Sequence, residues 1–161
     1  MPDNKFASVE VAVFWQYISA SIDRMIALLA GLSPEQLAWK PPASKANGLG
    51  VLATHTLGNA EENIVETLCG ESVGRDRQAE FAVTAVTAES LQAHWEELRA
   101  RVAAVLSTVP PEALLAPHHH PRRGWSTGRE ILLIVARHAA EHLGQAELTR
   151  DLLLAQMTMP R

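Results

Sequence analysis

A chain of 161 residues and 17.5 kDa is the size of one domain and long enough to bury a full core, so residues 1–161 are read as a single domain. Its 47% apolar and 20% charged residues are those of a globular domain, and 14 basic against 18 acidic residues, net −4, leave no overall positive field for a phosphate backbone; no nucleic-acid partner is expected. The single cysteine, Cys69, excludes an internal disulfide, no apolar run approaches the roughly 20 residues a bilayer requires, and the stretch MPDNKFASVE lacks the apolar core of a signal peptide, so a cytoplasmic protein without membrane contact is expected.

The first long element is expected from Ser8 to Ala30, where Phe14, Ile18, Ile22, Met25 and Leu29 recur three or four apart on one stripe and Gly31 is placed to end the helix. Ser33-Pro34-Glu35-Gln36 then has the order of a capping box with proline at the first helical position, which predicts a short helix over Glu35 to Leu37. Trp39 to Gly50, with Pro41, Pro42 and Gly48, reads as loop. A second long helix is expected from Leu49 to Gly70, and by helical spacing it carries Leu52, His55, Asn59 and Glu62 on one unusually polar face.

Glu71 to Val86 reads as a connection of mixed charge. The third long helix is expected over Ala88 to Ser107, with Leu91, Trp95, Leu98, Val102 and Val105 inward. Thr108 to Trp125 holds four prolines and the run His118-His119-His120 and reads as irregular. The last helix opens with Thr127 and Glu130 in capping-box spacing and is expected to continue to Leu154, its inward line being Ile131, Val135, His138, His142, Gln145 and Leu152. The pattern is all-α, a four-helix bundle in which at least one long connection crosses over.

His138 and His142 lie four apart and so leave one helix face about 5–6 Å apart at Cβ, close enough to share one ion. His55, on the polar face of another helix, is the natural third ligand. Three histidines leave one coordination position open for water or substrate, the arrangement of a catalytic site, and an imidazole without a partner on an apolar face would be costly. Asn59 and Glu62 follow His55 at one and two turns. Glu62 is a candidate general base, hydrogen-bonding partner of a ligand, or water-mediated ligand, with an exposed acid at the helix rim as the plain alternative. Gln145, close to a turn beyond His142, is a candidate for holding bound water or substrate. The order His138-Ala139-Ala140-Glu141-His142 differs from the H-E-x-x-H of zinc peptidases, and peptidase chemistry is not expected.

The run His138-Ala-Ala-Glu-His142-Leu-Gly-Gln145, with Ala53-Thr54-His55 and Trp125-Ser126-Thr127, resembles the DinB/YfiT-like superfamily over nearly the whole chain. That resemblance implies a DinB-like up-down-down-up four-helix bundle, a three-histidine metal site on His55, His138 and His142, and a homodimer. Characterised members include transferases and isomerases that use low-molecular-weight thiols. The expected protein is therefore an enzyme in which a divalent transition metal, zinc, nickel or iron, activates a thiol or water against a small electrophilic substrate. The alternative is a non-catalytic metal- or small-ligand-binding bundle.

Among the remaining residues, His118, His119 and His120 are read as a solvated loop cluster, since adjacent side chains diverge, and His94 as a histidine at the edge of the core. Trp15, Trp39, Trp95 and Trp125 are read as core, with Trp39 and Trp125 at loop ends where a pocket mouth could form. Arg75, Arg77, Arg122 and Arg123 are read as solvated charges, one of which could hold a substrate carboxylate. Cys69, beside Gly70 at a helix C-terminus, is read as inert. Val9, Val11 and Val13 exceed one stripe and are assigned to a two-fold interface.

Overall fold

In a computed structural model, residues 6–158 are described; the first five residues of the stretch MPDNKFASVE and the last three of the chain lie outside them. The elements are α1 (Val9–Ala27), α2 (Pro34–Ala38), α3 (Leu49–Ala60), α4 (Arg77–Phe81), α5 (Ala88–Ser107), β1 (Pro117–His120), β2 (Gly124–Thr127) and α6 (Gly128–Thr158). A π-helical segment, Glu61–Leu68, continues α3 without a break. The caps are those expected. Ser33 and Gln36 exchange hydrogen bonds at the start of α2, and Thr127 and Glu130 do so at the start of α6.

Helix α1 ends at Ala27, three residues before the expected end, and the chain then turns through Gly31, whose φ of +75° favours glycine. The long helix expected over Leu49 to Gly70 is α-helical only to Ala60. Beyond it the winding widens, the Cys69 amide reaching back to the Ile64 carbonyl, so that α-helical spacing no longer tells which way a side chain points. Two connections also carry structure of their own. Glu71 to Val86 contains α4, which Asp76 caps through the amides of Gln78 and Ala79. Thr108 to Trp125 contains a 3₁₀ turn at Pro111–Leu114 and an antiparallel hairpin in which His119 faces Trp125 across the strands. Their five- and four-residue elements are too short for periodicity to mark.

Ion pairs fix the helix directions. Glu10 meets Arg129, Arg24 meets Glu147, and the Leu28 carbonyl receives Arg150, so α1 and α6 ascend side by side and parallel. Antiparallel to α1 runs α5, its Trp95 indole donating to Asp23 while Phe6, before α1, sits beside Ala103 near the other end. Antiparallel to α6 runs α3, since His55 meets His138 and Leu68 approaches Gly128. The bundle is therefore up-down-down-up, and the crossover between the two descending helices is the segment that carries α4. Its core holds Ile18, Ile22, Met25 and Leu29 from α1, Leu57 and Ile64, Trp95, Val102 and Leu106 from α5, and Ile131 and Val135 from α6.

Not every expected core position is filled as expected. At the end of α6 it is Leu153 that is buried, while Leu152 is 43% exposed and turned to a cavity. Val11 is fully buried in the bundle, whereas Val9 and Val13 are exposed. Trp15 and Trp95 pack together in the core, but Trp125 is exposed at 71%, and His94 is exposed rather than at the core edge. No helix among the described residues is long and apolar enough to cross a membrane.

Candidate metal centre

Antiparallel packing of α3 on α6 sets His55 opposite His138 and His142. The Nε2 atoms of His55 and His138 are 3.1 Å apart, those of His138 and His142 are 3.2 Å apart, and the three donor atoms lie within 4.8 Å of one another. Ligands at 2.0–2.1 Å from one tetrahedral ion stand about 3.3 Å apart, so two of these separations are near those of a chelated ion.

The outer nitrogens decide which lone pairs face inward. His55 Nδ1 lies 2.8 Å from Glu80 Oε2, and since a carboxylate only accepts, that nitrogen carries the proton and Nε2 is left as an acceptor. His142 Nδ1 donates to Gln145 Oε1 at 2.6 Å with the same consequence. His138 Nε2 can donate to only one of the two acceptors beside it, which leaves a buried lone pair without a donor. A cation answers that arrangement, and the pattern of an acceptor behind each ligating imidazole is the one that holds metal-binding histidines in place. Burial, with His142 and His55 beside it, pushes His138 down to about 3, and burial lowers His142 as well, so these imidazoles are neutral and ready to ligate near neutral pH. The residues present thus fit a divalent transition metal, which His55, His138 and His142 would hold.

Glu80 was not a candidate in the sequence. It is buried on α4, and Arg75, only 5% exposed at its side chain, grips it through Nε at 2.6 Å and Nη2 at 2.8 Å while Nη1 reaches Glu62 at 2.8 Å. Arg75 is thus a buried strut rather than the solvated charge expected. Burial opposes ionisation of Glu80, but its bonds to His55 and Arg75 outweigh burial and hold the carboxyl below the usual range. Room for the pair comes from Gly58 on α3, where any Cβ would overlap the Glu80 carboxylate and crowd Arg75 Nε at 3.0 Å. No spacing rule announces this, because the partners meet only when the crossover folds back on α3.

Glu62 is buried beside the hairpin. It accepts from Arg75 and, at 2.5 Å, from Arg122 Nη2, and His120 Nε2 stands 3.3 Å away. Burial raises its carboxyl, yet the two arginines together hold it below the usual range. Asn59 is buried with its Oδ1 unpartnered among the described residues. Gln145 lines the cavity above the histidines, whereas Glu62 and Asn59 do not. Of the histidine run, His118 donates to the Ala113 carbonyl and His119 packs edge-on against Trp125. His120 is 1% exposed and its Nδ1 accepts the Arg122 amide. The run is therefore a folded strand and not a solvated loop. Alternation along β1 turns His120 inward, and the sequence held that signal only if the strand was recognised. Arg123 bonds Asn63, so it too is engaged.

A cavity of about 670 Å³ opens over the three histidines, walled by Leu52, Phe81, Leu148 and Leu152, with Lys45 and Arg77 also lining it. Phe81 packs on the His55 ring at 4.7 Å between centroids, and the Arg77 guanidinium stacks on Phe81 at 5.0 Å. Such a space has the size and largely apolar lining of small-molecule sites.

Three solved structures share the fold. A conserved protein from Enterococcus faecalis matches with a TM-score of 0.70 and 17% identity, over 89% of this chain and 96% of that one. A DinB-like protein from Bacillus cereus ATCC 10987 matches at 0.67 and 19%, over 97% and 98%. The colibactin self-resistance protein ClbS, solved in complex with a dsDNA, matches at 0.62 and 13%, over 88% and 95%. No curated protein matches the chain. The family model of the DinB superfamily matches residues 17–146, a span that includes all three histidines, all of α3 and α6 as far as Ala146. With that match and the up-down-down-up bundle both in place, the chain belongs to the DinB superfamily.

Proposed function

We propose that this protein is a metal-dependent enzyme acting on a small electrophile through a divalent transition metal, zinc, nickel or iron, held by His55, His138 and His142. The observation that carries the reading is the convergence of three Nε2 atoms whose outer nitrogens, on His55 and His142, are already committed to Glu80 and Gln145. When bound, such an ion supplies the Lewis acidity that makes a low-molecular-weight thiol or a water nucleophilic near neutral pH. The cavity over the histidines leaves space for that nucleophile and its electrophile, which favours an enzyme over a purely structural ion.

The chain's own residues divide the remaining work. Gln145, at the cavity wall, orients His142 and is placed to meet a ligand. Glu62 stays ionised between Arg75 and Arg122, and we assign it to anchoring Arg75, and through it Glu80, rather than to proton transfer. Asn59, with an unpaired buried oxygen close to His55 in the chain, is assigned to accepting a hydrogen bond at the base of the site. Elemental analysis of untagged protein tests the reading. About one equivalent of metal per chain is expected, falling to near zero in His55→Ala, His138→Ala and His142→Ala; full occupancy in His138→Ala would overturn it.

A dimer with Val9 and Val13 at a two-fold interface belongs to the same reading, and light scattering at micromolar concentration should give twice the chain mass. The complex of ClbS with dsDNA sits poorly with the expectation of no nucleic-acid partner. At 13% identity that likeness carries the fold alone, and a net charge of −4 favours a small molecule. Anisotropy of a labelled duplex should stay flat at about 100 mM salt, and saturable binding there would reopen DNA as the substrate.

A further inference from the structure

The charges around the cavity are one-sided. Lys45, from the loop before α3, and Arg77, the first residue of α4, both line it, and neither has a carboxylate within salt-bridge distance among the described residues. In a chain with a net charge of −4, most of the other described arginines are paired with acids, including Arg24, Arg75, Arg99, Arg101, Arg122 and Arg129. No aspartate or glutamate is among the described residues lining the cavity, and the buried acids Glu80 and Glu62 are spent on Arg75 and Arg122. Away from the three imidazoles, a ligand in this space therefore meets apolar walls and uncompensated positive charge, and no carboxylate that would pair with an organic cation.

Arg77 is also held in position. Its guanidinium carbon lies over the Phe81 ring, 5.0 Å from the centroid, and Phe81 in turn packs on His55 at 4.7 Å, so the cation stands within two ring spacings of the first imidazole. A guanidinium fixed on an aromatic ring keeps its edge free and loses little freedom when it pairs with a carboxylate. Leu52, Leu148 and Leu152 add apolar wall to the same cavity.

We infer that the cavity binds small amphipathic carboxylic acids, with the carboxylate on Arg77 and Lys45 and the apolar body turned toward the histidines. The inference deepens the proposed function by naming the substrate class, and rests on it for the placement of the reacting end. Its physical basis is separable, since the two cations and the apolar wall are present whether or not a metal is bound.

The test measures binding of 3-phenylpropanoate, its neutral amide and 2-phenylethylammonium to the full chain by isothermal titration, with the metal stripped and again after zinc loading. Stripping removes direct carboxylate coordination as a cause of preference. The acid is expected to bind at least about tenfold more tightly than the amide in both states, with the ammonium weakest, a margin typical of one charge-assisted pair. Arg77→Gln should cut the margin to about twofold or less, Lys45→Gln should reduce it in part, and Arg77→Lys, which keeps the charge but not the planar fork over Phe81, should keep only part of it. Arg77 is exposed at the start of α4, and circular dichroism should report an unchanged fold in each variant. Equal affinity for acid and amide in stripped protein, or a margin untouched by Arg77→Gln, overturns the inference. Zinc bound without acid preference would sink the inference and leave the metal reading standing; acid preference in a protein that takes up no zinc would do the reverse.

Discussion

His55 Nδ1 and Glu80 Oε2 lie 2.8 Å apart across 25 residues of chain, and Gly58, one turn beyond His55 on α3, is what lets the carboxylate approach. Because the carboxylate fixes the proton on Nδ1, it presents the His55 Nε2 lone pair to the site. Glu80→Gln keeps the shape but loses the charge, and zinc affinity, read by competition with a chelating dye, should fall by about 10–100-fold. Gly58→Ala should produce a similar loss by displacing Glu80. The double variant should be no weaker than the worse single one, since both changes break one contact; fully additive losses would show that Gly58 acts elsewhere.

Acid should weaken the metal-free protein through its histidines before its carboxylates. His138 titrates at about 3 in the fold against an ordinary value of 6.5, so between these limits the unfolded chain binds the extra proton and stability falls as pH falls. His142 is shifted in the same direction. Glu62 and Glu80, both depressed from 4.5, add their own loss only below that value. Unfolding by urea should therefore show about 1–2 kcal/mol less stability at pH 5 than at pH 7.5 from His138. His138→Gln should flatten most of that slope. An unchanged slope in that variant would assign the acid sensitivity to other groups.

The three neighbouring histidines of β1 should part company under mutation. His118→Ala and His119→Ala remove half-buried or exposed contacts and should change stability by less than about 0.5 kcal/mol to 1 kcal/mol. His120→Ala leaves the Arg122 amide without its acceptor and empties a buried space beside the Glu62 carboxylate, and should cost about 1–3 kcal/mol in thermal or urea unfolding. Metal content should be unchanged in all three. Loss of metal with any of them would place the hairpin in the ligand set.

Cys69 should be a bystander. Burial, with Glu71 nearby, pushes its thiol up to about 11, so at pH 8 only about one molecule in a thousand carries the thiolate that reacts. Iodoacetamide should label the folded protein far more slowly than a free thiol. Any thiol-transfer activity should survive Cys69→Ser and vanish on metal removal; the opposite pattern would move the chemistry to the cysteine.

Periodicity was enough to read α1, α5 and α6, which repeat an apolar stripe over five or more turns, and the α-helical part of α3, and capping boxes at Ser33 and Thr127 marked the starts of α2 and α6. The histidine triad was legible for a related reason. Spacing of four puts His138 and His142 on one face whatever the rest of the chain does, and a buried imidazole on α3 needs a partner. What the sequence could not contain was the far side of the site. Glu80 and Arg75 sit in a segment too short and too charged to look structured, and become buried only when the crossover lies against Gly58. Glu62 was placed by α-helical geometry that stops at Ala60, and the wider turn that follows sets it among Arg75, Arg122 and His120. Local pattern therefore determined the helices and the ligating face, since both depend on neighbours within a turn or two. Gln145, on the same helix as His142, was within reach of local pattern, but Glu80 behind His55 and the Arg77 cation over the cavity come from a segment 20 or more residues beyond His55, and only tertiary packing could choose them.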